Sequence, residues 1–142
     1  MFRQEPANTG FALLARILMS AIFILSGFDK LAAPAGTQEV LEAANVPAPA
    51  VAYAASVLVE IFGGLALLIG FKARAAAAVL GLFTLAAAVV FHHQLADPNQ
   101  FIHFMKNLSI AGGLLQVVCL GAGGWSLDGW LKPSAEAPQY FY

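Results

Sequence analysis

Four long apolar runs dominate the sequence, and short polar segments separate them. The runs cover residues 11–31, 51–71, 75–93 and 108–123. A helix needs roughly 17–25 residues to cross about 30 Å of hydrocarbon at about 1.5 Å per residue. The fourth run is the shortest, and we expect residues 104–107 to supply its first turn. Because backbone groups in lipid must find partners within their own segment, the runs predict four transmembrane helices.

Breaker residues mark the connections between the runs. Prolines and glycines frame the stretch 37–45, which is long enough for a short helix at the membrane interface. Residues 70–74 predict a tight turn, and residues 96–100 predict another because they combine Asp, Pro and Asn. The sequence therefore predicts an all-α integral membrane protein, a four-transmembrane-helix bundle with a short interfacial helix in the first extracytoplasmic loop.

The predicted organisation has three parts. Residues 1–10 form an N-terminal segment, residues 11–131 form the membrane domain, and residues 132–142 form a tail in which apolar residues do not recur at a regular spacing. We expect the first run to be a retained span and not a cleaved signal peptide. It is longer than the apolar region of a typical signal peptide, and it contains Arg16.

Composition supports a membrane protein and excludes several other classes. Hydrophobic residues make up 60% of the chain and charged residues 11%, whereas soluble domains of this size cannot bury so much apolar surface. The net charge of −1 gives the chain no excess of positive charge with which to bind nucleic acid. The single cysteine, Cys119, excludes an internal disulfide and a multi-cysteine zinc site. We interpret it as a small apolar core residue.

Basic residues are distributed unevenly between the two predicted ends of the bundle. Such a bias places the richer side in the cytoplasm, so both termini are expected there, in a bacterial inner (plasma) membrane. The richer side holds Arg3, Lys72, Arg74 and Lys132, and the other side holds Lys30 and Lys106.

Small and polar residues recur at alternating spacings of three and four within each run. This spacing places them on one helix face, where small side chains let membrane helices approach closely. The stripes comprise Arg16, Ser20, Phe23, Gly27 and Lys30; Ser56, Glu60, Gly63, Leu67 and Gly70; Ala77, Gly81, Thr84, Ala88 and His92; and Lys106, Ser109, Gly113 and Gln116.

Two ionisable residues lie well inside the predicted spans. A charge at the centre of a bilayer costs about 2.5–3.5 kcal/mol even on the most lenient scale, so such residues need a partner, water or a function. Arg16 has a long side chain that can reach the cytoplasmic interface. Glu60 is either a packing residue that is paired or protonated, or a proton or ligand site. A polar link between Arg16 and Glu60 is a further expectation.

A second polar set converges at the extracytoplasmic end of the predicted bundle. It consists of Asp29, Lys30, His92, Lys106 and Asn107. Such residues either anchor the helices at the interface or form a pocket for a quinone carbonyl, an oxyanion or another small ligand. Adjacent His92 and His93 point about 100° apart on a helix, and His103 would face His92 only by chance, so no metal site is predicted.

Several motifs between residues 15 and 128 resemble those of the DoxX family, and in particular a bacterial inner-membrane branch of it. Their order and spacing carry the resemblance more than any single motif does. The motifs are residues 15–17, 26–31, 34–37, 106–112 and 124–128, together with Glu60 and the Gly63-Gly64 and His92-His93 pairs.

The resemblance implies a four-helix inner-membrane protein, and some members of the family are membrane subunits of thiosulfate:quinone oxidoreductases. We therefore expect a membrane subunit of a redox system that docks a soluble oxidoreductase and holds a quinone-like ligand. Lys106 and Asn107 would bond the ligand, and His92 would exchange protons near physiological pH. With one cysteine and no fused soluble domain, the chain does not fit a self-contained thiosulfate oxidase.

Two alternatives from other classes stay open at the level of sequence. One is a small proton-coupled carrier that works as a homo-oligomer, because four short helices enclose little volume, with Glu60 as the coupling group. The other is a structural membrane anchor or assembly factor without ligand or catalytic activity. The sequence does not distinguish an enzyme from a non-enzyme.

Overall fold

A computed structural model describes residues 6–131, and these residues form five helices and one short helical turn without any strand. The elements are α1 (Pro6–Ala32), α2 (Pro34–Ala43), α3 (Pro49–Ile69), α4 (Ala73–Phe91), α5 (Pro98–Leu120) and the single turn α6 (Leu127–Trp130). Four of the helices, α1, α3, α4 and α5, are long and apolar enough to cross a membrane, which confirms the predicted fold class. The predicted tail after residue 131 lies outside the described residues.

Helix α2 occupies the predicted position in the first connection, although it begins at Pro34 and ends at Ala43. Pro34 takes the first helical position, where its missing N–H costs nothing. Leu41 is buried because α2 packs against α3. The predicted tight turn between α3 and α4 is also present. It turns through Gly70 and Lys72, which both have positive φ angles.

The middle of α3 is a π-helical turn over Val59–Gly63. Such wide turns are rare and are frequently found at functional sites. Glycines on both helices bring α1 close to this part of α3. A Cβ atom added to Gly27 would lie 2.5 Å from Ile61, and one added to Gly64 would lie 2.8 Å from Ile24.

The fourth span begins ten residues before the predicted apolar run and differs from the prediction there. The side chain of Asp97 accepts hydrogen bonds from the amides of Asn99 (2.7 Å) and Gln100 (3.2 Å), and Pro98 is the first helical residue. Asp followed by Pro is thus a helix start and not the predicted turn at 96–100. The chain reverses over residues 92–97 instead.

Three of the four predicted stripes face the interior of the bundle. Arg16, Ser20 and Phe23 of α1 are buried, and so are Glu60 and Leu67 of α3. In α4 the buried face includes Ala77, Thr84 and Ala88, as predicted, together with Ala73 and Leu80. Large apolar side chains such as Leu18, Phe62, Leu82 and Leu115 are exposed on the outer surface, which suits contact with lipid.

The predicted stripe of α5 is wrong. Lys106, Ser109 and Gln116 are exposed, whereas Leu114 and Val117 are buried. The physical reason lies in the packing, because α5 lies along α4 and hardly touches α1. Its buried face is therefore narrow, and apolar side chains fill it.

Candidate functional site

Glu60 and Lys30 form an ion pair between the π-helical turn of α3 and the last turns of α1. The Nζ atom of Lys30 donates to Oε2 of Glu60 at 2.7 Å and to Oε1 at 2.9 Å. Glu60 is only 4% exposed. The absent side chain of Gly27 permits the close approach, because a Cβ there would lie 3.4 Å from the Cβ of Glu60. The pair neutralises the carboxylate that the sequence places inside a span.

Ser26 completes a three-residue cluster with this pair. Its hydroxyl donates to Oε1 of Glu60 at 3.0 Å and accepts from Nζ of Lys30 at 2.8 Å. The ammonium of Lys30 thus has three acceptors, which matches its three N–H groups. The hydroxyl of Tyr53 donates to the backbone carbonyl of Lys30 at 3.2 Å and ties the start of α3 to the same turn. The cluster is therefore held rigidly from both helices.

A cavity of about 530 Å³ opens beside the cluster, and we call it the Glu60 cavity. All four long helices, α2 and the loop after α2 contribute to its wall. Apolar side chains such as Leu41, Val46, Phe83 and Phe91 form much of the lining. The polar lining residues are Ser26, Lys30, Thr37, Ser56, Glu60, His92 and Asn107.

His92 and Asn107 differ from the other polar lining residues in their spare hydrogen-bonding capacity. His92 uses its Nδ1 atom for a 2.9 Å contact with Oε1 of Gln100, and its Nε2 atom has no hydrogen-bond partner in the part of the chain that the structure describes. The side chain of Asn107 forms no hydrogen bond within residues 6–131. By contrast, the hydroxyls of Thr37 and Ser56 donate to carbonyls of their own helical turns. A ligand would therefore meet a free amide and a free imidazole nitrogen.

The predicted ligand-binding set divides into two groups in the structure. Lys30, His92 and Asn107 line the Glu60 cavity. Asp29 and Lys106 are exposed and do not line it. The two lie outside because helix geometry turns each of them about 100° from the neighbour that lines the cavity.

His92 has a neighbour that the sequence pattern did not indicate. The rings of His92 and His103 stack with their centroids 5.0 Å apart and an interplanar angle of 20°. The early start of α5 at Pro98 supplies this contact, because it makes residue 103 helical and brings it beside the end of α4. Within the described part of the chain, no group of three or more His, Cys, Asp or Glu side chains could hold a metal ion.

The structure does not bring Arg16 and Glu60 together. Arg16 is 1% exposed, but its guanidinium lies at the opposite end of the bundle. It donates to the carbonyls of Leu67 (3.4 Å) and Leu68 (2.8 Å) at the end of α3, and to the carbonyl of Trp125. Leu67 and Leu68 lie in the last turn of α3, where carbonyls lack the full set of intrahelical partners; the Leu67 carbonyl also accepts from the amide of Gly70 at 3.2 Å. Arg16 therefore caps α3 and fastens the segment that follows α5.

Asp128 caps the start of α4, as Arg16 caps the end of α3. Its carboxylate accepts hydrogen bonds from the amides of Lys72 (2.7 Å) and Ala73 (2.8 Å). Its own amide donates to the carbonyl of Gly70 at 2.9 Å. The interpretation of Cys119 as a core residue is wrong, because its side chain is exposed and lines an open cavity between α1 and α5.

Some residues of the site were not among the predicted site residues. Ser26 lies four residues before Lys30 and hence on the same helix face, which is a signal that could have identified it. Tyr53 and the lining residues of α2 carry no comparable signal, because their positions depend on how the first connection folds over the bundle.

Four helical spans, a buried ion pair and the adjoining Glu60 cavity define a polytopic helical membrane protein with a candidate ligand site. The DoxX family model matches residues 11–93, more than half of the chain and all of the site except Asn107. The chain belongs to the DoxX family.

Two curated relatives come from Escherichia coli K12. The chain is 43% identical over 119 residues to inner membrane protein YqjF, covering 82% of this chain and 88% of that protein. It is 35% identical over 122 residues to inner membrane protein YphA, covering 82% of this chain and 86% of that protein. No solved structure matches the chain. Together with its four spans, these relatives make the chain a multi-pass inner-membrane protein.

Proposed function

We propose that the chain is a membrane subunit of a redox system and that it binds a quinone-class ligand in the Glu60 cavity. The observation that carries this proposal is the combination of apolar walls with two polar groups that have free hydrogen-bonding capacity. A quinone needs both features, because its ring and isoprenoid tail are apolar and its carbonyl oxygens accept hydrogen bonds.

The dimensions of the cavity support this choice. Its volume of about 530 Å³ lies within the roughly 300–1,000 Å³ typical of small-molecule sites. Leu41, Val46, Phe83 and Phe91 supply flat and branched apolar surfaces for a ring. The side-chain amide of Asn107 supplies a hydrogen-bond donor for a carbonyl oxygen.

Each polar residue has a separate role in the proposal. Asn107 fixes the orientation of the ligand, and His92 holds a proton at Nε2 or accepts one there. Lys30 has all its N–H groups engaged, so it acts as a fixed positive charge that Glu60 balances. A bound quinone supplies the chemistry of taking up two electrons and two protons, and a soluble oxidoreductase partner would supply the electrons.

Binding to purified protein in lipid nanodiscs tests the ligand assignment. We expect a short-chain ubiquinone analogue to bind in isothermal titration calorimetry. Asn107→Leu should weaken this binding roughly 3- to 10-fold, the usual effect of losing one neutral hydrogen bond. Ser109→Leu is the matched control, because Ser109 is exposed on the same helix and does not line the cavity.

Two results would contradict the ligand assignment. One is the absence of quinone binding to a folded protein, and the other is equal weakening by Asn107→Leu and Ser109→Leu.

Lys106→Leu tests the extent of the site. The sequence predicts that Lys106 bonds the ligand, whereas its place outside the cavity leads us to expect unchanged affinity.

Affinity purification from native membranes in mild detergent tests the redox assignment. Mass spectrometry should find a stoichiometric soluble oxidoreductase with the chain. Recovery of the chain alone, or only as a homo-oligomer, would contradict the subunit assignment and favour the carrier. For a carrier, Glu60→Gln would abolish proton-coupled uptake into liposomes.

The orientation with both termini in the cytoplasm is part of the same proposal. It is supported by Lys72 and Arg74, which lie at the end of the bundle where α1 starts and α5 stops. The Glu60 cavity then faces the periplasmic side. A C-terminal green fluorescent protein fusion should fluoresce, and a C-terminal alkaline phosphatase fusion should be inactive; the reverse result would overturn the orientation.

A further inference from the structure

A second cavity lies at the opposite end of the bundle from the Glu60 cavity, and we call it the Lys72 pocket. Its volume is about 610 Å³. It lies between the start of α4, which supplies Lys72, Arg74 and Ala75, and the segment 120–129 that follows α5. No part of the proposed function uses this pocket.

Two basic side chains and one acidic side chain line the pocket, which leaves it with a net positive charge. Neither Lys72 nor Arg74 forms a salt bridge within residues 6–131. Asp128 also lines the pocket, but its carboxylate oxygens accept from the amides of Lys72 and Ala73. Asp128 therefore offsets part of the positive charge without pairing with either basic side chain, and the excess of one cation attracts anions.

The backbone opposite these cations also offers donors. Gly121 and Gly123 have positive φ angles of 85° and 82°, a conformation that favours glycine. The amides of Ala122, Gly123 and Gly124 donate to no protein carbonyl within the described residues. Successive free amides in such turns form anion-binding concavities. Cationic side chains and free amides together match a phosphate group.

The position of the pocket points to the headgroup level of the membrane. Trp125 and Trp130 belong to the same end of the bundle and are 63% and 87% exposed. Exposed tryptophans concentrate where the hydrocarbon meets the headgroups. A phosphate bound between Lys72 and Arg74 would therefore lie at the depth of lipid phosphates.

An apolar groove of about 490 Å³ continues from the pocket along the outer surface of α3 and α4. The groove and the pocket share Lys72 and Ala75. Away from Lys72, the groove is lined by apolar residues and glycine, including Phe62, Phe71 and Val79. An anionic headgroup site that runs into an apolar groove has the shape of a phospholipid and not that of a free phosphate.

We infer that the Lys72 pocket and its groove bind one anionic phospholipid, with the phosphodiester at Lys72 and Arg74 and an acyl chain in the groove. Each basic residue near an anionic membrane surface strengthens binding roughly five-fold. Loss of both should therefore weaken binding about 25-fold. Zwitterionic phospholipid should bind less, because its choline or ethanolamine group would meet the same positive charges.

Native mass spectrometry of delipidated protein titrated with phosphatidylglycerol or phosphatidylcholine tests this inference. We expect a one-to-one phosphatidylglycerol adduct at concentrations where phosphatidylcholine gives none. Lys72→Gln/Arg74→Gln should lose the adduct, and the charge-preserving Lys72→Arg/Arg74→Lys should keep it. Lys106→Gln is the control for loss of a basic residue far from the pocket. Far-ultraviolet circular dichroism shows whether each variant is folded.

Three outcomes would overturn the inference. They are equal retention of both lipids, an unchanged adduct in folded Lys72→Gln/Arg74→Gln, and equal loss in Lys106→Gln. A separate arm adds inorganic phosphate without lipid and measures thermal unfolding. If inorganic phosphate stabilises the protein as much as phosphatidylglycerol does, the ligand is a soluble anion and the lipid assignment is wrong.

Discussion

The Lys30 ammonium lies 2.7 Å from one carboxylate oxygen of Glu60 and 2.9 Å from the other, across 30 positions of sequence. The side chain of Lys30 is 24% exposed and that of Glu60 is 5% exposed. The pair thus joins α1 to the π-helical turn of α3 where water has little access. Removing one partner leaves the other charge buried and unpaired, which is more costly than the pair itself is favourable.

This relationship predicts strong coupling between the two residues. Glu60→Gln and Lys30→Met should each lower the free energy of unfolding by about 2–4 kcal/mol. The double variant should lose clearly less than the sum, because neither charge is then left alone. Thermal or denaturant unfolding in detergent micelles measures the free energy of unfolding of the unmodified protein, the two single variants and the double variant. Additive losses would mean that the pair has no energetic coupling.

The close packing of α1 on α3 predicts that Gly27 cannot carry a side chain. A Cβ there would lie 2.5 Å from Ile61, so Gly27→Ala should cost about 1–3 kcal/mol through overpacking. Gly112→Ala is the matched control, since a Cβ at Gly112 meets nothing within 4 Å. That substitution should have no effect or stabilise α5, because alanine has the higher helix propensity. Equal effects in the two variants would contradict this packing.

The contacts of Arg16 predict a structural role separate from the ligand site. Arg16→Gln should lower the free energy of unfolding by about 2–4 kcal/mol, because it removes hydrogen bonds from a charged donor to three carbonyls. Hydrogen exchange should accelerate in residues 121–131, which Arg16 fastens through Trp125. Quinone binding at the other end should not change. Loss of quinone binding in a folded Arg16→Gln protein would contradict this separate role and support the predicted link between Arg16 and Glu60.

The capping contact of Asp128 predicts a local effect at the start of α4. Asp128→Asn weakens the acceptors for the amides of Lys72 and Ala73, so it should cost about 1 kcal/mol, the usual contribution of a helix cap. Hydrogen exchange at residues 72–76 should increase. Asp29→Asn is the control, because Asp29 is exposed. Unchanged exchange at the start of α4 would show that water replaces the cap.

The sequence alone determined the four spans, the short helix of the first connection and the inward stripes of α1, α3 and α4. Hydrocarbon admits only internally hydrogen-bonded segments, so run length and composition suffice to predict helices. Spacings of three and four then place Arg16, Glu60 and Ala77 on inner faces. The same logic does not predict the start of α5 at Pro98, because residues 98–103 are too polar to appear as part of a span.

Only the tertiary structure decided which polar residues meet. Arg16 and Glu60 both face inward, but the antiparallel packing of α1 and α3 sets Lys30 against Glu60 and Arg16 against the carbonyls of Leu67 and Leu68. Helical periodicity gives the face of each residue and not its depth relative to a neighbouring helix. That depth depends on the connecting loops and on close approaches such as the one at Gly27, which are properties of the packed bundle.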